Sequence, residues 1–196
     1  TERLDDGTPI MVRVWSTFGR MHIDFTGSGG EHPGNLNAPL AVVRAAVLYV
    51  LRVVAGEDIP LNEGAIDAVE LVCPRGFLNP RFSGDASVDP AVAIGNTETS
   101  QRVVDSLLKA FEVVACSQGT MNNLLLGNDR FGYYETICGG TGAGPGFSGC
   151  DAIHSHMTNT RLTDPEVIEH RYPLRLVRFG IRRGSGGAGI TPGGDG

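Results

Sequence analysis

From Ala38 to Ala55 the chain is apolar almost without interruption, broken after Pro39 only by Arg44 and Arg52. Two guanidinium groups near the middle and end of such a run cost too much in hydrocarbon, so it reads as a core helix and not as a membrane span. It is apolar on nearly every side, which predicts a helix lying deep in a fold. Asn37 is placed to cap it, with Pro39 in its first turn. A helix of this kind needs cover from the rest of the chain. With 196 residues, 41% of them hydrophobic and 19% charged, there is enough material for one domain or two very small ones.

The cover is legible in part. Residues 10–15 and 20–26 alternate apolar and polar around Phe18-Gly19 and predict a hairpin with one buried face. Residues 27–34 read as a loop, 58–64 as a turn, and 66–73 as a strand ended by Pro74. A proline- and glycine-marked connection follows over 75–95. A second helix is expected from about Thr97, capped by Asn96 or Thr97. Val103, Val104, Leu107, Leu108 and Phe111 form its apolar stripe, with Glu98, Arg102, Asp105 and Lys109 on the other side. Strand-like stretches occur at 130–138, 151–157 and 174–182. Thr163-Asp164-Pro165-Glu166 opens a short helix that Pro173 ends. Strands and helices do not alternate strictly. The expected class is therefore α+β, mainly antiparallel strands packed around one buried apolar helix and a second amphipathic helix.

Composition removes several functions. A net charge of -6 argues against sequence-independent nucleic-acid binding. Lys109 is the only lysine, so a P-loop or Schiff-base lysine would have to be that residue. Cys73, Cys116, Cys138 and Cys150 form no CxxC pair. They read as reduced thiols in a cytoplasmic protein, and Cys116 or Cys138 becomes a candidate nucleophile if a histidine lies close. Glycine numbers 28 and is concentrated late, where the backbone must approach itself closely or adopt special dihedrals.

The chemistry-bearing stretches lie in that later part. Gly139 to Gly146 matches neither GxGxxG nor a P-loop, yet the backbone N–H groups of Gly140 and Gly142 can line an anion nest or an oxyanion hole. Ser117 to Asn123 is dense in amides and hydroxyls. Buried, such groups form a structural network or line a polar site, with Asn122 and Asn123 as ligand-binding candidates. In a strand, His154 and His156 would share a face with Thr158. They can be metal ligands, an acid/base pair or a hydrogen-bonded structural pair, and no third metal ligand is evident nearby. Arg161 can clamp a substrate carboxylate, or else pair with Glu135, Glu166 or Glu169. Glu135, just before the glycine run, can be a general base or an arginine partner.

Taken together these segments resemble the hydantoinase B/5-oxoprolinase family. The matching stretches are Asp24-Phe-Thr-Gly27, Asn35-Leu-Asn-Ala-Pro39, Asp58-Ile-Pro-Leu-Asn-Glu-Gly64 and Gly95-Asn-Thr-Glu-Thr-Ser-Gln101. They continue with Ser117-Gln-Gly-Thr-Met-Asn-Asn123, Tyr133-Tyr-Glu-Thr136, Gly139-Gly-Thr-Gly-Ala-Gly144, His154-Ser-His-Met-Thr-Asn-Thr-Arg161, Thr163-Asp-Pro-Glu166 and Ser185-Gly-Gly-Ala-Gly189. One departure is Pro192 before Gly193-Gly-Asp-Gly196, where the family usually has arginine. The family's B unit is also much longer, and the part carrying its metal-binding aspartates and histidines has no counterpart here. Residues 1–196 therefore read as a partial hydantoinase B/5-oxoprolinase-like domain, cut at both ends.

The resemblance implies an ATP-dependent hydrolase of cyclic amides, opening 5-oxoproline to glutamate, as in glutathione metabolism, or opening a hydantoin. ATP and a divalent metal would be bound outside this chain. The implied partners are an ATP-binding A unit, fused or separate, a small cyclic amide and other copies in an oligomer, with no nucleic acid and no membrane. In that frame Gly140, Gly142, Asn122 and Asn123 are candidate donors to a tetrahedral intermediate. His154, His156 and Glu135 are candidate proton carriers, and Arg161 is the carboxylate clamp. Two other readings are a related acetone- or acetophenone-type carboxylase, and a non-catalytic core or assembly segment.

Overall fold

The hairpin forms where the alternation predicts it. In the structure, a computed structural model that describes residues 1–60 and 62–196, β1 (Glu2–Arg3) and β2 (Pro9–Ile10) make a short ladder, and β3 (Arg13–Thr17) pairs antiparallel with β4 (Arg20–Asp24). Phe18 and Gly19 join β3 and β4 at φ 49° and 77°. That double left-handed turn matches the twist of the strands it connects. Leu61, within the turn expected over 58–64, lies outside the described residues.

The helix α1 (Leu40–Ala55) ends on Gly56 in the left-handed region, whose N–H bonds the Arg52 carbonyl. Asn37 is not its cap. Its buried carboxamide instead accepts from His32 N at 2.8 Å and donates to the carbonyls of His32, Gly34 and Ala91. It fastens two loops together.

After α1 the chain returns to the sheet as β5 (Val69–Val72), which pairs with β4 in parallel, Ile23 opposite Leu71. The sheet order is β3-β4-β5. A parallel neighbour needs a crossover, and α1 lies in that connection. The mainly antiparallel α+β class holds, with this one parallel pair added.

A π-helical turn over Gly95–Thr99 leads into α2 (Ser100–Ala110) without a side-chain cap from Asn96 or Thr97. The hairpin of β6 (Asn123–Gly127) and β7 (Gly132–Thr136) follows, and then α3 (Pro165–Arg171). The Asp164 carboxylate caps α3 by accepting from Glu166 N at 2.9 Å, and Pro165 takes the first turn. Two strand expectations fail. Residues 151–157 contribute only an isolated bridge between Ile153 and Gly139, and 174–182 pair with no strand among the described residues. Val177 is 91% exposed there, so the alternation has nothing to pack against.

One core cluster joins Ile10, Ile23 and Phe25, Val43, Val47 and Val50 of α1, Phe77 and Leu78, and Val103, Val104, Leu107 and Leu108 of α2. The helices divide the work differently from expectation. In α1 only the stripe Val43, Ala46, Val47 and Val50 is buried, while Ala41, Ala45, Val53 and Val54 are exposed. In α2 the apolar stripe is buried and so are Ser100, Gln101, Asp105 and Ser106. The helix with the stronger polar face is the deeper one, because later loops supply partners for its polar groups. No helix among the described residues is long and apolar enough to cross a membrane, and all four cysteines are free.

Candidate functional site

The polar face of α2 organises the second half of the chain. The Gln101 carboxamide accepts from Met157 N at 2.8 Å and donates to Ser155 O and to Thr158 Oγ1 at 3.0 Å. Asp105 accepts from Ser117 N at 2.8 Å and faces His156 Nε2 at 3.0 Å. Arg102 donates to Gly119 O, and Glu98, in the π-helical turn before α2, accepts from the Thr120 hydroxyl. One helix thereby holds both the 117–121 loop and the 155–158 turn.

Against the 117–121 loop the glycine segments close a cleft of about 570 Å³. Its walls come from residues 115–118 and 138–143, from Asn122, and from Arg182 and the segment that follows it. The walls are mostly backbone. Gly194 N donates to Thr141 O, Thr141 N to Cys150 O, and Gly149 N to Pro192 O. These segments touch so closely that a Cβ on Gly140 would overlap the Gly194 carbonyl. Glycine is required there for close approach.

The cleft is rich in unused polar groups. Gly140 N–H and the buried Gly142 N–H donate to no acceptor among the described residues. Such groups are rarely left unpaired inside a protein. The Asn122 carboxamide also has no hydrogen-bond partner there, and Gln118 Oε1 is buried without one. No lining residue is acidic. Asp195, beside the cleft, is turned onto Gly186 N and Gly184 N, which hold its carboxyl below its ordinary value of 3.8.

The candidates from the sequence fall in different places. Gly140, Gly142 and Asn122 line the cleft. Asn123 does not; its carboxamide oxygen accepts from the hydroxyls of Tyr134 and Thr136 across the β6–β7 ladder. The two histidines do not share a face. Thr158 N bonds Ser155 O and His156 sits at φ 57°, so the segment turns where a strand was expected. His154 does not line the cleft; its Nε2 lies 3.5 Å from the Sγ of Cys138, which does. His156 is buried against Asp105, with the Tyr49 hydroxyl 3.5 Å from Nδ1, beside a separate groove of about 610 Å³ along α1.

A histidine does lie beside Cys138, the condition set for a nucleophile. Burial pushes the Cys138 thiol up, and burial pushes Cys116 up to about 11, so neither is a ready thiolate. Arg161 is exposed, makes no ion pair among the described residues and does not line the cleft. Arg182 lines it, and nothing in its local spacing marked it. Lys109 is bound to Glu2 at 2.6 Å. No group of three or more His, Cys, Asp or Glu side chains is placed for a metal ion among the described residues.

Glu135 is buried and fully engaged. It accepts from Thr163 N at 2.8 Å, from Thr136 N at 3.0 Å and from the Tyr133 hydroxyl at 3.1 Å. Burial alone would raise its carboxyl, but the bonds from Thr163, Thr136 and Tyr133 together hold it below its ordinary 4.5. A lowered folded value stabilises the fold above 4.5, and that stability is lost as pH falls through the folded value. Glu135→Gln is therefore expected to lower the melting temperature at neutral pH, and the deficit is expected to shrink below pH 4.5. A constant deficit across that range would refute the assignment.

The family model described as hydantoinase B/oxoprolinase matches residues 1–196. The chain belongs to that family. Among its hydantoinase B/oxoprolinase relatives, 5-oxoprolinase 1 of Arabidopsis thaliana is 52% identical over 196 residues, covering 98% of this chain and 15% of that protein. The 5-oxoprolinase of Dictyostelium discoideum is 48% identical over 201 residues, covering 100% and 15%. The chain thus spans about 15% of the length of these curated relatives. The crystal structure of the ATP-dependent caprolactamase from Pseudomonas jessenii superposes with a TM-score of 0.78 at 22% identity, over 96% of this chain and 35% of that one. At that identity the likeness shows a shared fold.

Proposed function

We propose that this chain is a segment of a larger ATP-dependent cyclic amide hydrolase, a cytoplasmic enzyme, and that its cleft holds the amide undergoing ring opening. Relatives named as 5-oxoprolinases and as a caprolactamase support the class. The observation that carries the site is the pair of unpaired N–H groups on Gly140 and Gly142 beside the free Asn122 carboxamide. Water addition to an activated amide carbon passes through a tetrahedral intermediate whose charge needs fixed donors, and preorganised N–H groups supply them without reorganisation.

His154 is the proton carrier in this reading, behind the cleft wall and 3.5 Å from Cys138, which lines it. Glu135 and His156 are framework residues, since their polar atoms are committed away from the cleft. The residues present do not fit the nucleotide or the metal that the family implies. The single lysine is ion-paired, and no metal-ligating cluster occurs among the described residues. Activation by ATP is assigned to other parts of the enzyme.

The test is ADP release by the full-length protein carrying this sequence, with 5-oxoproline or hydantoin, each with and without bicarbonate. Release driven by 5-oxoproline, with glutamate as product, is expected. Asn122→Ala is expected to lower that turnover at least about tenfold with folding intact. A ketone that drives ADP release only with bicarbonate would move the chain to the carboxylase branch. Unchanged turnover in Asn122→Ala and His154→Ala would make the segment scaffold.

A further inference from the structure

We propose that residues 176–181 are a strand held ready for a partner. The partner is a strand of alternating acidic and apolar side chains, supplied by the full-length polypeptide from outside residues 1–196. This surface concerns assembly of the full-length protein and stands whether or not the reaction proposed above is the right one.

Residues 174–182 contain no helix, no turn and no paired strand. The segment is nevertheless tied at both ends. Leu176 N donates to Glu169 Oε1 at 2.8 Å, and Arg182 N donates to Gly196 O at 2.8 Å. Between those ties, the five residues from Val177 to Ile181 make no backbone hydrogen bond among the described residues. A row of open N–H and C=O groups on a tethered segment is a template for strand pairing. Because its ends are held, part of the ordering cost of pairing is already met.

The side chains give this segment a face to bury. In a strand, Val177, Phe179 and Ile181 project to one side. They are 91%, 55% and 37% exposed. Valine, phenylalanine and isoleucine favour strands, and an uncovered apolar row of this kind invites aggregation.

Charge selects the chemistry of the cover. From His170 to Gly194 the chain has five arginines and no acidic residue, although its net charge is -6. Arg175, Arg178 and Arg182 make no ion pair among the described residues. Carboxylates on the neighbouring strand would pair with these guanidinium groups, while a basic neighbour would be repelled.

Length selects its source. The matched region is 15% of the 5-oxoprolinase relatives and 35% of the caprolactamase chain, so each of them carries further chain on the same polypeptide. A strand on the same polypeptide acts at a high effective concentration, which a second copy in dilute solution does not reach.

Hydrogen exchange in the full-length protein reads the pairing. Free amides over 177–181 would exchange at the rate of an unstructured chain, and the expected rate is at least about hundredfold slower. A photo-crosslinking residue in place of Val177 is expected to join a peptide of the same polypeptide outside residues 1–196, one in which carboxylates alternate with apolar residues. Arg175→Glu combined with Arg178→Glu is expected to speed exchange of the segment about tenfold, and Arg175→Lys with Arg178→Lys to leave it near wild type. These side chains are exposed, so the fold of residues 1–196 is not at stake.

Exchange at the unstructured rate overturns the proposal; the arginines would then serve only to keep an exposed apolar segment soluble. Three other results overturn it as well. A crosslink between two copies would make this face a dimer contact. A crosslink to a strand without carboxylates would remove the stated chemistry. Protection indifferent to the double charge reversal would do the same.

Discussion

Asp105→Ala is expected to destabilise the protein by about 3–5 kcal/mol, among the largest losses any single substitution here should cause. The side chain is 1% exposed and carries two unrelated segments at once. Without it, Ser117 N, on the cleft wall, loses its acceptor, and His156 Nε2 loses its partner at a side chain too deep for water to replace it easily. Each buried group left unsatisfied costs about 1–3 kcal/mol, and a Cβ-sized remnant leaves a cavity as well. Asp105→Asn should cost less, since its carbonyl oxygen can still accept from Ser117 N. The measurement is the apparent melting temperature of the full-length protein, with limited proteolysis to localise any loosening to residues 115–121 and 154–159. A melting temperature unchanged in Asp105→Ala would show that the α2 polar face is not the organiser described above.

Gly140→Ala is expected to cost about 10²–10³-fold in turnover, more than its stability cost of about 1–3 kcal/mol would suggest. The added methyl meets the Gly194 carbonyl, which is backbone and cannot rotate away. One of the two segments must move, and the Gly140 N–H moves with it. Displacement of a donor by a fraction of an ångström is enough to lose stabilisation of a developing charge. Gly187→Ala is the control. Gly187 lines the same cleft, but a Cβ there meets nothing within 4 Å, so turnover and melting temperature should stay near wild type. Equal losses in the two variants would mean that the cleft is sensitive to any added bulk, and the close-approach argument would fail.

The elements built on local periodicity were legible. The β3–β4 hairpin, the extent of α1 and the capped start of α3 all follow from residues within a few positions of each other. The failures share a cause. Gln101 and Asp105 look like the wet side of an amphipathic helix because their partners, Met157, Thr158 and His156, are more than fifty residues away. His154 and His156 look like a strand pair because two-residue spacing carries no sign of the left-handed turn at His156. Residues 174–182 alternate like a strand but have no described neighbour to bond. In the site, the glycine run was legible as backbone placed for donation. Arg182 was not, since only the folding of its segment against 138–143 brings it to the cleft.

The interlocked glycine walls also bear on how the protein is made. Gly140 rests on Gly194, Gly149 on Pro192, and Gly186 on Gly193, contacts that span from a few residues to more than fifty. Long-range contacts of this kind form late, because the loop between them must close first. During synthesis the 138–143 segment emerges well before residues 192–194 exist to cover it. The growing chain thus carries the hairpin and both long helices before it has any cleft, so a nascent polypeptide that ends before residues 192–194 is blind to the ligand. The cleft is completed in one late step, so protection of residues 138–143 from proteolysis should lag helix formation.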